Sequence, residues 1–187
     1  MAAPRILAFS GSSRRESLNR KFLDAAVEEA RAAGGEVTLL NLADYPLPLF
    51  NGDLEDAEGM PAPAKSLVEL IAGHAALLVA SPEYNSLITP LLKNTIDWCT
   101  RGDANPFVGR AAAVITASPG QFGGSKSGLA ARQLLSRVGC VLVPRECALP
   151  HAHEAFDERG RLKSAHAQQS LRELAAELVR LAGRLTS

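Results

Sequence analysis

The stretch RILAFSGSSRRESLNRKF, residues 5–22, joins a short apolar run, a polar turn and the start of a helical pattern. Residues 5–10 are almost all apolar, which is typical of a strand buried on both faces. From Leu18 onwards, apolar residues recur three or four positions apart, which predicts a helix. A buried strand followed at once by a helix is the repeating unit of α/β proteins, so this stretch indicates the fold class.

The same alternation continues along the chain. Further strands are predicted within residues 36–42, 75–85, 111–120 and 140–144, the second and third of them running into a turn. Helices are predicted at 18–33, 61–72, 90–99 and 125–138, and an apolar stripe between Leu171 and Leu185 predicts the last one. Residues 44–53 hold two prolines and an Asn-Gly pair, which predicts a loop. Five strands without polar alternation indicate a parallel sheet with helices on both faces, a three-layer α/β sandwich.

Length and composition narrow the class of protein. The 187 residues, 47% hydrophobic and 21% charged, are expected to form one domain over residues 1–187. The 20 basic and 20 acidic residues give a formal net charge of +0, which argues against nucleic acid as a partner. Neither a bilayer-spanning segment nor the pattern of a secretory signal is present, so we expect a cytoplasmic protein without a membrane partner. The three cysteines form no C-x-x-C pair and are expected to be reduced and packed.

The turn after the first strand has the composition of an anion site. It combines the hydroxyls of Ser12, Ser13 and Ser17 with the amide of Asn19 and the guanidinium of Arg14. Sheets of this kind bind ligands at the carboxyl ends of their strands, where the free N–H groups of a helix N-terminus attract anions. The pattern therefore predicts a phosphate site. The simpler alternative is that Ser17 only caps the helix and the arginines are solvated.

Two nucleotide motifs were weighed against this prediction. The dinucleotide fingerprint G-x-G-x-x-G is absent, because Gly11 is the only glycine of the turn. Residues 120–127, GQFGGSKS, approach the Walker pattern, but Ser125 stands where that pattern needs the glycine before Lys126. A triphosphate site is therefore disfavoured.

Two further loops follow buried strands and add groups suited to a flat ring. Residues 81–86 combine a proline, an aromatic side chain and polar groups, and residues 118–124 are rich in glycine. A partly polar ring needs backbone N–H and C=O groups at its edge and an apolar wall at its face, and glycines let the backbone approach closely.

Taken together, these loops resemble the NADPH-dependent FMN reductase family, the flavodoxin-like reductases that include quinone, chromate and azo-dye reductases. The resemblance is carried by GSSRRESLNRK (11–21), SPEYNSLITPLLKNTIDW (81–98) and SPGQFGG (118–124), and it extends to about Val143. It implies a flavodoxin-like sheet of strand order 2-1-3-4-5. It also implies an NAD(P)H-dependent oxidoreductase that reduces quinones, flavin or related acceptors by ping-pong hydride transfer, with bound FMN and NADPH or NADH as donor.

The resemblance also implies the site residues. The FMN phosphate would be held by Ser12, Arg14, Ser17, Leu18 and Asn19. The isoalloxazine would be lined, mostly through backbone groups, by Pro82, Glu83, Tyr84 and Asn85, with Ser118 and Gly120 on its far rim. Many relatives carry Ser or Thr where this chain has Leu87, which removes a hydroxyl near the ring. A homodimer or homotetramer is implied, and no acid–base side chain or metal is required.

Alternatives remain at this point. A flavodoxin-type electron carrier would bind FMN without its own NAD(P)H turnover, although such carriers are usually strongly acidic and this chain is balanced. A sensor that has lost its flavin is a third reading. His151 and His153 have the spacing of some metal ligands, but with no third ligand nearby in sequence a surface loop is favoured. The sequence decides neither the acceptor nor the choice between NADPH and NADH.

Overall fold

A computed structural model of the protein describes residues 2–186. Its strands form one parallel sheet: β1 (Arg5–Ser10), β2 (Glu36–Leu40), β3 (Ala76–Ala80), β4 (Ala111–Ala117), β5 (Val141–Leu142) and β6 (Cys147–Leu149). The strand order is β2-β1-β3-β4-β5, with β6 also paired to β4. The predicted flavodoxin-like parallel sheet is thereby confirmed.

Two short strands, β5 and β6, share the last position of the sheet beside β4, which the sequence did not indicate. β5 pairs with the start of β4 at Ala111 and Ala112, and β6 pairs with its end, from Ile115 to Ala117. The strand predicted at 140–144 is therefore only two residues long, and β6 was missed. Pro144 has no N–H to donate, so the ladder breaks there and resumes at β6. As a result, the chain after β6 lies beside the loop that follows β4.

Helices cover both faces of the sheet: α1 (Leu18–Ala32), α2 (Gly52–Glu58), α3 (Ala62–Ala72), α4 (Pro90–Cys99), α5 (Ser125–Arg137) and α6 (Ala165–Leu185). One core contains the apolar faces of α1 and α6, and the other contains those of α3, α4 and α5. Side chains of β1 point alternately to the two faces of the sheet. Ile6 and Ala8 therefore belong to the first core, and Leu7 and Phe9 belong to the second. The three layers predicted from the sequence are confirmed.

Helix α2 was not predicted, and its packing explains why. It buries none of its residues, so it carries no apolar stripe for a periodicity argument to detect. It is stabilised by local contacts instead: the Asn51 side chain accepts a hydrogen bond from the backbone N–H of Asp53 at 2.8 Å, and acidic residues occupy its first turn.

None of the helices within residues 2–186 is both long and apolar enough to cross a membrane.

The three cysteines of the chain, Cys99, Cys140 and Cys147, are free and buried. Burial raises the pKa of the Cys99 and Cys140 thiols to about 12 and that of Cys147 to about 11. The expectation of packed thiols is confirmed. Because the thiolate is the reactive form, these thiols are inert in the folded protein at neutral pH.

We expect Ellman's reagent to label none of the three thiols of the native protein within minutes at pH 8, and all three after unfolding. The raised pKa values also predict the direction in which the free energy of unfolding changes with pH. The unfolded chain ionises near pH 9 and the folded one only near pH 11 to 12, so stability should fall as the pH rises through that window. Rapid labelling of even one thiol in the native protein would contradict the burial described above.

Candidate active site

Three loops meet at the carboxyl edge of the sheet because β1, β3 and β4 are neighbours in it. Backbone hydrogen bonds continue the ladder into the loops: Gly11 N–H donates to Ala80 at 2.9 Å, and Ser81 N–H donates to Ile115 at 2.9 Å. The predicted site residues all lie on these loops or in the first turn of α1: Ser12, Arg14, Ser17, Leu18, Asn19, Pro82, Glu83, Tyr84, Asn85, Ser118 and Gly120. Their contacts with a ligand stay a prediction.

Gly11 allows the first loop to pack directly on α4. The hydroxyl of Thr89 donates to the Gly11 carbonyl at 2.6 Å. A Cβ at Gly11 would stand 3.0 Å from the Cβ of Leu92 and 3.1 Å from the Thr89 hydroxyl, so α4 would have to move away by a few tenths of an ångström. Thr89 also caps α4, since its hydroxyl accepts from the N–H of Leu92 at 3.2 Å. Thr89 was not among the predicted residues, although a Thr before Pro90 is a helix-start signal.

The start of α1 offers hydrogen-bond donors that the protein itself leaves unused. Ser17 caps the helix by accepting from the N–H of Arg20 at 3.3 Å. Ser12, Ser13, Leu18 and Asn19 have backbone N–H groups that meet no acceptor within residues 2–186. These free N–H groups and the positive end of the helix dipole form a setting suited to an anion.

Two guanidinium groups stand beside these donors. The side chains of Arg14 and Arg15 are exposed and make neither a hydrogen bond nor an ion pair with any residue from 2 to 186. Ser10, at the end of β1, has a buried hydroxyl oxygen with no partner in the same part of the chain. Unused donors, two unpaired positive charges and an unpartnered buried hydroxyl fit a phosphate at this turn.

Asn19 has a structural role that the sequence did not reveal. Its Nδ2 donates to the carbonyl of Ala117 at 2.7 Å, and its Oδ1 accepts from the N–H of Ala117 at 3.0 Å. The buried amide thus bridges the first turn of α1 to the end of β4. Only one Nδ2 hydrogen is left for a ligand, so Asn19 acts on the site chiefly by fixing the two loops relative to each other.

We expect Asn19→Leu to lower the free energy of unfolding by about 3 kcal/mol, because both backbone groups of Ala117 would lose their partner in a buried position. Chemical denaturation measures the change. Asn41→Ala is the matched control, since the exposed Asn41 also caps a turn, with Oδ1 accepting from the N–H of Ala43 at 3.2 Å, and should cost less than about 1 kcal/mol. Equal losses in the two variants would show that the bridge contributes nothing beyond a surface cap.

The loop after β3 ends in a tight turn with two residues in left-handed conformation. Asn85 and Ser86 have φ of 50° and 67°, and Tyr84 and Leu87 exchange backbone hydrogen bonds of 2.9 and 3.0 Å. This is the pattern of a type I′ turn, which Asn tolerates well and Ser less well. The turn places Tyr84 and Leu87 side by side with half or more of each exposed, 50% and 61%. Leu87 therefore presents an exposed apolar side chain at this turn.

A set of polar contacts clamps this loop to the start of α5. The Glu83 carboxylate accepts from the N–H of Ser127 at 3.1 Å, and the buried hydroxyl of Ser127 lies 2.8 Å from the Pro82 carbonyl and 2.7 Å from the Ser81 hydroxyl. Lys126 donates to the Ser86 hydroxyl at 3.2 Å. The Glu83 side chain is thus engaged through Oε2 as a cap of α5. Ser127 and Lys126 were missed, because nothing in a linear sequence pairs them with the loop after β3.

The loop after β4 is built from backbone contacts. Ser118 N–H donates to Leu149 at 3.1 Å, and Gly120 receives a hydrogen bond from the N–H of His151 at 3.3 Å. Ser118 is half-buried and its hydroxyl accepts from the N–H of Gly120 at 3.2 Å, while Gly120 itself is exposed. His151 and His153 are both exposed, and no metal-binding group of three His, Cys, Asp or Glu side chains exists within residues 2–186.

Comparison with known proteins agrees with this geometry. The profile of the NADPH-dependent FMN reductase family matches residues 4–154. An NAD(P)H-dependent FMN reductase of Pseudomonas aeruginosa is 37% identical over 185 residues, 96% of this chain and 97% of its own length. A probable NADPH:quinone oxidoreductase of rice, Oryza sativa subsp. japonica, is 34% identical over 188 residues, 98% of this chain and 91% of its own.

A solved structure supports the same assignment. FerB of Paracoccus denitrificans, a flavoenzyme NAD(P)H:acceptor oxidoreductase, superimposes with a TM-score of 0.84 at 28% identity, covering 97% of this chain and 98% of FerB. The predicted class, an oxidoreductase that uses FMN and NAD(P)H, is confirmed at the level of the family. The chain belongs to the NADPH-dependent FMN reductase family.

Proposed function

We propose that this chain binds FMN at the carboxyl edge of its sheet and reduces small-molecule acceptors, quinones or flavins, at the expense of NADPH or NADH. The observation that carries the proposal is the cluster of unused donors at the start of α1, with Arg14 beside it. That cluster lies on the loop after β1, and the loops after β3 and β4 lie beside it at the same edge of the sheet. The chain is a member of an FMN reductase family.

The phosphate end of FMN would be held by charge and by backbone dipoles. The N–H groups of Ser12, Ser13, Leu18 and Asn19 and the guanidinium of Arg14 are the donors available there. The Ser17 hydroxyl accepts from Arg20 with its oxygen and keeps its own proton to donate. Charge-assisted hydrogen bonds of this kind are the strong ones, which suits a cofactor that must stay bound through turnover.

The ring end would lie against the loops that follow β3 and β4. Pro82, Glu83 and Asn85 offer backbone groups there, Tyr84 offers an exposed aromatic face, and Ser118 and Gly120 border the opposite side. The chemistry that bound FMN would supply is two-electron transfer from the nicotinamide to the acceptor. The protein contributes position: the clamp from Glu83 to Ser127 and the tight turn at Asn85 fix the ring-lining backbone. No side chain of this chain is assigned as an acid or base.

We extend the proposal to the assembly and the location of the protein: a homodimer or homotetramer in the cytoplasm. Quinones, chromate and azo dyes are the acceptors whose reduction rates should be compared. Large apolar side chains stand exposed: Phe122 at 66% and Leu87 at 61% on the loops of the site, and Leu49 at 79% on the loop before α2. A second copy of the chain that covers some of them would also complete the acceptor space. The single domain expected over residues 1–187 would then be the repeating unit of the assembly.

The decisive experiment is a combined cofactor and turnover assay. We expect the purified protein to release one FMN per chain on denaturation, and NADPH oxidation with a benzoquinone to give parallel double-reciprocal lines. Bound FMN without NAD(P)H turnover would identify an electron carrier instead, and a protein that binds no flavin would overturn the proposal. Light scattering on the same preparation gives the oligomeric state.

A further inference from the structure

A second concave site lies at the amino edge of the sheet, opposite to the three loops. It is a cavity of about 840 Å³ whose wall contains four arginines: Arg5, Arg110, Arg180 and Arg184. Small residues form its floor: Gly34, Ala72, Gly73, Ala75 and Gly183. No aspartate or glutamate lines it. In a chain with equal numbers of acidic and basic residues, this is a local concentration of positive charge.

The sheet register brings two of these arginines together. Arg5 precedes Ile6 and Arg110 precedes Ala111, and both of these residues pair with Ala76 of the intervening β3. Two inter-strand spacings therefore separate the backbones of Arg5 and Arg110, about 10 Å. Arg110 is half-buried and anchored, since its Nε donates to the Pro106 carbonyl at 3.2 Å.

Arg5 extends over the floor of the cavity. A Cβ placed on Gly73 would stand 3.9 Å from an Nη atom of Arg5, so the guanidinium lies across the end of α3. Glu69 lines an adjoining groove with Arg5, but the two form no ion pair within 4.0 Å. A side chain at position 73 larger than hydrogen would narrow the space between Arg5 and the floor.

The remaining two arginines come from α6, where Arg180 and Arg184 lie one helical turn apart on the same face. Part of the positive charge has an ordinary explanation, since cations near a helix C-terminus interact favourably with its dipole. The C-termini of α3 and α6 supply together only about one negative charge. The guanidinium groups of Arg5, Arg110 and Arg180 alone exceed that, and like charges in one concavity raise the free energy of the folded state unless an anion joins them.

We propose that this cavity binds a small molecule that carries a diphosphate group. The guanidinium fork matches phosphate oxygens in bidentate geometry. The spread from Arg5 and Arg110 to Arg180 favours two linked phosphates over one. The concave shape suits a small ligand. The balanced charge of the chain disfavours nucleic acid, whose binding proteins usually carry a basic excess. The site is separate from the flavin site, because β4 alone is seven residues or roughly 23 Å long.

The test is calorimetric titration of the FMN-loaded protein with pyrophosphate at low ionic strength. We expect one saturable site per chain, and weaker binding of orthophosphate and of citrate. The double variant Arg5→Gln, Arg110→Gln should weaken pyrophosphate binding about tenfold or more, and Arg180→Gln should weaken it measurably alone. Arg137→Gln is the matched control, an exposed arginine in the last turn of α5 at the same edge but outside the cavity, and should change affinity less than twofold.

Several results would overturn the proposal. They are the absence of saturable binding, an equal loss in the Arg137→Gln control, and equal affinity for citrate. Loss of pyrophosphate binding in Arg14→Gln would place the ligand at the flavin loop instead. The arginines would belong to a macromolecular surface if pyrophosphate failed to bind while double-stranded RNA or anionic vesicles bound. In that case the double variant should lose the binding of RNA or vesicles. Unfolding curves of each variant show that the fold is intact, and Arg180→Gln serves alone if the double variant does not fold.

Discussion

Gly123→Ala is expected to lower the free energy of unfolding by about 3 kcal/mol or more, and to remove most flavin binding with it. A Cβ at this position would stand 2.7 Å from the carbonyl carbon of Leu149 and 2.7 Å from the nitrogen of Pro150. Both are backbone atoms, so no side chain can rotate away. The φ of Gly123 is also positive, at 60°, which adds conformational strain for any residue with a Cβ. Relief requires the loop after β4 to separate from the end of β6.

Gly160→Ala separates the two causes. Gly160 has a φ of 76° but an added Cβ would meet nothing within 4 Å, so this control carries the backbone strain without the collision. It should cost about 1 kcal/mol. Denaturant unfolding gives both stabilities, and absorbance of the purified variants gives their FMN content. If Gly123→Ala were no more destabilised than Gly160→Ala, the contact between the loop after β4 and the end of β6 would not be as close as 2.7 Å.

Arg14→Ala is expected to weaken FMN binding by about 2–3 kcal/mol, a factor of roughly 30 to 150 in the dissociation constant. The reason is the loss of a charge-assisted contact to the phosphate, which the neutral N–H and hydroxyl donors of the turn do not replace. Because the Arg14 side chain is exposed and makes neither a hydrogen bond nor an ion pair with any residue of 2–186, the stability of the flavin-free protein should not change. Titration of flavin-free protein with FMN, followed by quenching of flavin fluorescence, measures the effect.

Arg15→Ala is the control for Arg14, since the neighbouring side chain is equally exposed and equally unpaired within the described chain. It should change FMN affinity less than about threefold, the effect of a screened charge near the site. A larger loss in Arg15→Ala than in Arg14→Ala would exchange the two assignments. Full flavin content and unchanged affinity in both variants would remove the arginines from the phosphate site altogether.

The fold class followed from local pattern because each layer of this protein has its own periodicity. A strand buried on both faces is apolar at nearly every position, as in β1 and β3, and a helix packed on a sheet is apolar at every third or fourth position, as in α1 and α6. The anion site proposed at the turn between β1 and α1 could likewise be predicted from local sequence. Its hydroxyls, glycine and arginines are contiguous in the chain, so their chemistry is visible before folding.

Contacts between loops distant in sequence were decided only in three dimensions. Asn19 reads as a ligand residue, yet its amide is bound to Ala117, 98 positions away, and Glu83 caps a helix that begins 42 residues later. The arginines of the amino edge likewise come from three separate strands and helices. Periodicity reports which face of an element is buried, because that depends on neighbours three or four residues away. The polar partner of a buried side chain depends on strand register and on the packing of elements that are distant in sequence. A linear sequence pattern predicts neither of these.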